Sequence, residues 1–259
     1  MKVLAVSNKK GGVGKTSLAA NLAREISRVG WLVLLIDMDP QCDLSKIYVP
    51  NDYQGHTIME VLEGKCDIEE ACHESMDNLY IIPGSVDLAH FAFKHSESVL
   101  RHRLKNAEGL GEVDLVIIDT PPSISESTLT AYAAADQVLL VTVPEAFSAE
   151  NLSNMVETIQ HMQHGINPDL QIMGIAINKV DNRRGLTKVV QDKLRHIFGC
   201  DVFDSFISYD TALPTSQYGK VAVRDLHWKS RVLRQFNDLA AEVLERMVKP
   251  GGDGQALGE

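Results

Sequence analysis

Cysteine is scarce in this chain, and none of it is paired: Cys42, Cys66, Cys72 and Cys200 form no C-x-x-C spacing among the 259 residues. That excludes a disulfide framework or a cysteine-held zinc site and fits free thiols in a reducing compartment. Long apolar runs are missing too. No stretch reaches the roughly 18 consecutive apolar residues of a membrane span. Met1-Lys2-Val3 leads directly into a strand pattern, so neither a leader peptide nor a non-cytoplasmic location is expected. The nine histidines show no H-E-x-x-H or paired spacing, so no protein-held metal is assigned to them. Ser123 and Ser125 lie outside any nucleophile-elbow context. Positive charge is also in deficit, with 25 Lys and Arg against 35 Asp and Glu and a net charge of −10. A generally adhesive nucleic-acid binder carries the opposite balance.

What is present is the material of one large α/β domain: 44% hydrophobic and 23% charged residues, with no internal repeat or linker. Short apolar runs alternate with longer helical patterns, the rhythm of βαβ units around a mostly parallel, twisted sheet flanked by helices. Strands are expected at 3–6, 32–36, 79–82, 115–118, 138–141 and 172–177. Helices are expected near 16–29, 86–107 (broken), 125–134, 148–164, 184–198 and 227–247, the last with Val232, Phe236, Leu239, Val243 and Met247 on one stripe. The domain is expected to span 1–248. Pro-Gly-Gly-Asp-Gly then breaks the last helix and leaves 249–259 as an expected disordered tail.

The stretch Lys9-Lys10-Gly11-Gly12-Val13-Gly14-Lys15-Thr16-Ser17 carries the most information. It follows the apolar run Val3–Val6 and opens a segment with Leu18, Leu22 and Ile26 at helical spacing, the strand–loop–helix context of a phosphate loop. Glycines let backbone N–H groups converge on phosphate oxygens, and the positive end of the helix faces the same anion. Lys15 is placed to reach β and γ phosphates, and the Thr16 hydroxyl to sit on Mg²⁺. In the usual G-x-x-x-x-G-K-[ST] pattern a glycine stands where this chain has Lys9, and a second lysine, Lys10, lies within the loop.

That string resembles the deviant Walker A loop of the ParA/MinD family of ATPases, whose signature lysine precedes the glycine pair; Lys10 matches it. The resemblance implies a P-loop NTPase fold, ATP with Mg²⁺, and a sandwich homodimer in which Lys10 crosses to the partner's nucleotide. Gly11 to Ser17 would line the nucleotide. Asp37-Met38-Asp39-Pro40-Gln41 resembles the D-x-D-P-Q motif of ParA proteins, which implies that Asp39 orients the attacking water and Asp37 supports the magnesium shell. Asp119, ending an apolar strand before Thr120-Pro121-Pro122, makes a Walker B arrangement whose carboxylate holds Mg²⁺ directly or through water. Asn178-Lys179-Val180-Asp181 has three readings: Asn178 reads adenine, as the resemblance implies; the segment reads guanine through Asp181; or Asn178 caps a turn. The lack of C-x-x-C separates the chain from iron–sulfur relatives of this family.

Basic charge is concentrated late. Residues 179–195 carry six bases against two acids and residues 220–234 five against one, whereas 57–77 carry seven acids against Lys65. Arg183, Arg184, Lys188, Lys220, Arg224, Lys229 and Arg231 are therefore the candidate DNA contacts, on segments expected to form one stripe in a dimer. Chromosomal ParA proteins commonly carry a proline–arginine pair where this chain has Ile207-Ser208, and another arginine where it has Thr211. The resemblance to ParA, closest to its Soj-like members, implies partition of plasmid or chromosome, a nucleoid-associated protein and a ParB-like activating partner. The alternative is a ParA/MinD-like ATPase that positions a protein cargo or division machinery rather than DNA. Lys249–Glu259 lacks the basic amphipathic pattern of MinD-type ends, so no membrane contact is expected.

Overall fold

In the computed structural model, residues 1–90, 98–181, 183, 185–227 and 229–248 are described. The first half of the chain runs β1 (Lys2–Ser7), α1 (Lys15–Arg28), β2 (Val33–Asp37), α2 (Ser45–Tyr48), α3 (Ile58–Glu63), β3 (His73–Met76), β4 (Leu79–Ile82), α4 (Val99–Asn106) and β5 (Leu115–Asp119). The second half adds α5 (Glu126–Ala134), β6 (Gln137–Thr142), α6 (Ser148–His164), β7 (Gln171–Val180), α7 (Gly185–Phe198) and β8 (Val202–Ser208). Three helices close it: α8 (Ala212–Tyr218), α9 (Val223–Leu226) and α10 (Arg231–Val248).

The eight strands stand in the order β3-β4-β2-β5-β1-β6-β7-β8, and every pairing is parallel except β3 with β4. The central strands are buried on both faces, as continuous Val/Leu/Ile runs require of a sheet covered by helices on each side. Alternation divides them between two cores. Val3 and Ala5 join the layer covered by α3 to α7, and Leu4 and Val6 join the layer covered by α1, α8 and α10. Leu18, Leu22 and Ile26 are fully buried, which makes α1 the central helix of the second layer.

Two strands went unforeseen, both at sheet edges. β3 is a half-buried His-Glu-Ser-Met segment turned onto β4 through Asn78, which adopts φ 60. Its bulge between Glu74 and Met76 and its acidic side chain discourage pairing with another chain. β8 is interrupted in sequence by Asp204 and Ser205, and α10 occupies its open edge. The Glu242 carboxylate accepts from the N–H groups of Asp204 (3.0 Å) and Ser205 (2.9 Å), and the Gln235 side chain accepts from Ser208 N–H (2.9 Å). The broken helix expected at 86–107 is a 3₁₀ turn at Val86–Ala89 followed by α4. Residues 91–97 between them lie outside the described residues, as does the expected tail 249–259.

Candidate nucleotide site

β1 lies at the middle of the sheet with β5 on one side and β6 on the other, so the loop after it opens where connections diverge, the place where open α/β sheets bind ligands. Gly12 (φ +75) and Gly14 (φ +90) both take left-handed backbone angles that favour glycine. Gly14 is constrained twice, because a Cβ there would stand 2.3 Å from the Asn178 amide nitrogen. No side chain caps the N-terminus of α1, which leaves its first N–H groups facing the loop. The loop borders a cleft of about 640 Å³ lined also by Asp39, Gln41, Lys46, Asn178 and the α8 residues Leu213, Pro214 and Gln217. That size suits a nucleotide.

The chemistry gathers at the ends of β2 and β5, which pair so that Asp37 lies opposite Asp119. Lys15 is only 6% exposed. Burial lowers its ammonium pKa, and the Asp119 and Asp39 carboxylates pull it back up. Asp119 is fully buried, and neither of its carboxylate oxygens completes a hydrogen bond with a protein donor. Burial, reinforced by Asp37, holds its pKa well above the usual carboxylate range; Thr16 and Lys15 oppose that shift. Orphaned buried oxygens of this kind mark a place for a cation. With the Thr16 hydroxyl beside them, they fit the sparse oxygen donor set that magnesium takes, since that ion keeps waters and shares phosphate ligands. Among the described residues no cluster of three or more His, Cys, Asp or Glu holds a metal by itself.

Asp37 is differently placed. One of its oxygens accepts from Asp39 N–H (3.1 Å), and the other from Ser45 N–H (2.9 Å) and the Ser45 hydroxyl (2.6 Å). Ser45 Oγ in turn accepts from Gly84 N–H at 2.8 Å, tying the end of β2 to the end of β4. Burial raises Asp37 to about 6, against these hydrogen bonds. Both Asp37 oxygens are thus taken up by the protein, and one of them fixes the Asp39 backbone. Asp39 lines the cleft at 8% exposure, its Oδ1 accepting from Gln41 N–H (2.9 Å), and burial raises its pKa.

Asn178 is almost fully buried beneath the loop. Its Nδ2 donates to the Val13 carbonyl (2.8 Å) and its Oδ1 accepts from Lys179 N–H (2.8 Å), so both ends of the amide are engaged by the protein. Asp181, needed for guanine reading, lies away from the main cleft, on two smaller ones behind Lys179 and Tyr209. Sequence reasoning missed four contributors: Ser45 behind Asp37, Lys179 on the Gly12 carbonyl (2.6 Å), Gln217 hydrogen-bonded to the Ser17 hydroxyl, and Glu145, which pairs with Lys10 on the surface. Only Lys179 carries a signal in the sequence, since it follows Asn178 at a strand end.

The basic candidates divide. Arg224 is held bidentately by Glu25, itself 2% exposed (2.6 and 2.5 Å), so it is a structural residue and not a free phosphate contact. Lys220 donates to Asn51 (2.7 Å), and Arg183 pairs with Asp181 (3.0 Å). Lys188 and Lys229 are exposed, and Arg184 lies outside the described residues. α7 covers one face of the sheet and α10 the other, so the two basic segments flank the β8 edge from opposite sides. They meet at a cleft of about 390 Å³ that Arg183 and Arg231 both line. No described helix is long and apolar enough to cross a membrane.

A family model described as an AAA domain matches residues 1–172. The chromosome partitioning protein ParA of Caulobacter vibrioides is 32% identical over 255 residues, 95% of each chain. The chromosome-partitioning ATPase Soj of Thermus thermophilus is 33% identical over 247 residues, 94% of this chain and 96% of that one. Among solved structures, cobyrinic acid a,c-diamide synthase from Mycobacterium smegmatis with bound ATP analog and magnesium superposes with a TM-score of 0.83 at 27% identity, covering 96% of both chains. The MinC:MinD cell division complex of Aquifex aeolicus shares the fold, with a TM-score of 0.79 at 20% identity over 97% of this chain and 99% of that one.

Proposed function

The chain belongs to the ParA/MinD family of ATPases, and from that premise we propose that it is a ParA-type partition ATPase that binds ATP with magnesium, closes as a homodimer and hydrolyses the nucleotide. One observation carries the site reading: the fully buried Asp119 carboxylate, without a protein donor, beside Lys15 and Thr16 at the mouth of a glycine loop. Magnesium bound there with the nucleotide supplies charge neutralisation on the β and γ phosphates. The loop N–H groups and the α1 N-terminus take phosphate oxygens, and Lys15 adds the fixed cation. Asp39, in the cleft and held by Gln41 N–H, orients the attacking water and accepts from it. Lys10, on a surface loop and paired only with exposed Glu145, is available to a partner's nucleotide across a dimer.

Further along the same reading, the ATP dimer binds DNA non-specifically through Arg183, Lys188, Lys220, Lys229 and Arg231, with Arg184 as a sixth candidate. It is then released when a DNA-bound, ParB-like partner stimulates hydrolysis. That cycle places the protein on the nucleoid. A second reading, positioning of a protein cargo, is favoured by the engagement of Arg224 with Glu25 and by the net charge of −10. An ATP-dependent mobility shift of random duplex DNA at low salt, run beside liposome co-sedimentation, tests the choice. A shift that requires ATP, ignores sequence and fades steeply with salt supports the DNA carrier. No shift at 50 mM salt makes the protein-cargo reading the better one.

A further inference from the structure

Two consecutive residues at the end of β7 reach two consecutive carbonyls of the phosphate loop. Asn178 Nδ2 donates to the Val13 carbonyl at 2.8 Å, and Lys179 Nζ donates to the Gly12 carbonyl at 2.6 Å. In a trans peptide the C=O and the following N–H point to opposite sides. Drawing the carbonyls of Gly12 and Val13 toward β7 therefore turns the N–H groups of Val13 and Gly14 the other way, toward where an anion sits on the loop. A loop this rich in glycine is otherwise loose, since glycine loses more conformational freedom on ordering than any other residue.

The geometry carries marks of being over-determined. Lys179 adopts φ 54, an uncommon angle for a residue with a side chain, and is held in it by its own N–H donating to Asn178 Oδ1 at 2.8 Å. Such local strain persists where the surroundings enforce it. The loop approaches the Asn178 amide so closely that any side chain at position 14 would meet it. Asn178 itself is 3% exposed, with its Nδ2 and its Oδ1 each making one hydrogen bond to the protein.

We propose that Asn178 and Lys179 form a clamp that presets the phosphate loop, with Lys179 a positioning residue for the triphosphate and Asn178 a brace of the loop. The clamp rests on the reading of this loop as a phosphate site. It predicts a loss of affinity that is blind to the base, because what is damaged is the array of N–H groups and not any contact with the ring.

The test uses the full chain and three magnesium-loaded probes, ATP, ITP and inorganic tripolyphosphate, measured by calorimetry for wild type, Lys179→Met and Asn178→Ala. Lys179→Met weakens all three by about tenfold, the worth of one hydrogen bond from a charged donor. It raises KM while leaving kcat within about twofold, the mark of an interaction equal in ground and transition states. In the nucleotide-free protein, amide exchange at Val13 and Gly14 speeds up while the melting temperature stays put, a combination that a merely structural role does not give. Asn178→Ala acts in the same direction, and should it fail to fold, exposed Lys179 keeps the test open. Unchanged affinity and exchange in Lys179→Met would overturn the clamp. So would a loss in Asn178→Ala confined to ATP, which would make Asn178 an adenine reader. A wild-type protein that bound none of the three probes would instead overturn the phosphate-site reading beneath the clamp.

Discussion

Replacing Arg224 with alanine separates the fold from the DNA surface more sharply than any other single change. Arg224 holds both carboxylate oxygens of Glu25, with Nε to Oε1 at 2.6 Å and Nη2 to Oε2 at 2.5 Å. Glu25 lies on the inner face of α1 at 2% exposure, and the arginine side chain is 23% exposed. Removing one partner of a buried pair typically costs about 3–5 kcal/mol, because the other charge is left without compensation. Arg28, with Nε 3.5 Å from Glu25, remains nearby, and some water reaches Arg224, so the lower end applies: about 3 kcal/mol. For a chain of this length that corresponds to a fall of roughly 6–12 °C in Tm. Urea and thermal unfolding followed by circular dichroism read it directly. Glu25→Met with Arg224→Met, which removes both charges, returns stability to within about 1–2 kcal/mol of wild type. An Arg224→Ala protein within about 0.5 kcal/mol of wild type, the range of ordinary surface changes, would refute the reasoning. Loss of DNA binding in Arg224→Ala is accordingly a stability effect, and Arg231, 62% exposed, is the cleaner probe of the surface.

Three further perturbations follow from the same geometry. Asp37, raised from 3.8 to about 6, binds more protons folded than unfolded between those values, so the nucleotide-free protein loses about 3 kcal/mol of stability as pH rises through that window. Asp37→Asn makes the dependence shallower in urea melts from pH 4 to 7, with Asp39 and Asp119 keeping its sign, and a wild-type stability that climbed through the same range would reverse the sign and sink the account. Gly14→Ala, forced into φ +90 and toward Asn178, weakens nucleotide binding by about tenfold or more; calorimetry showing wild-type affinity would mean the loop tolerates a side chain there. Lys10→Ala keeps the fold and monomeric nucleotide binding, since its pair with Glu145 is exposed, yet loses ATP-dependent dimerisation on size-exclusion chromatography; normal dimers would remove Lys10 from the interface.

The legible parts of the chain were those where one physical demand dominates. Leu34-Leu35-Ile36 and Val116-Ile117-Ile118 are apolar without interruption because both of their faces are covered, and they announce buried parallel strands. Gly12, Gly14, Lys15 and Thr16 announce a phosphate loop because few other residues meet its backbone angles and charge. The edges were less readable. β8 looks polar at Asp204 and Ser205 because α10 side chains, 27 to 38 residues on, satisfy its outer N–H groups, and no local pattern encodes that. Asp37 and Asp39 look equivalent as sequence. Only Ser45, brought under β2 by the turn at Asp39–Leu44, makes the first a positioning group and leaves the second facing the cleft. Arg224 read as surface charge because its partner lies 199 residues away on α1.

The central claim is that the cleft between the glycine loop, Asp39 and Asp119 hydrolyses ATP and that the bound nucleotide drives dimerisation. The most direct measurement is single-turnover hydrolysis of magnesium ATP by wild type and Asp39→Ala, with light scattering of the same samples to give the mass. Wild type should turn over slowly and be dimeric only with ATP. Asp39→Ala should bind ATP, persist as a dimer and hydrolyse at least about a hundredfold more slowly, the usual cost of losing the group that positions and deprotonates the nucleophile. Turnover in Asp39→Ala within a few-fold of wild type, or ATP-bound wild type that remains monomeric, would contradict it.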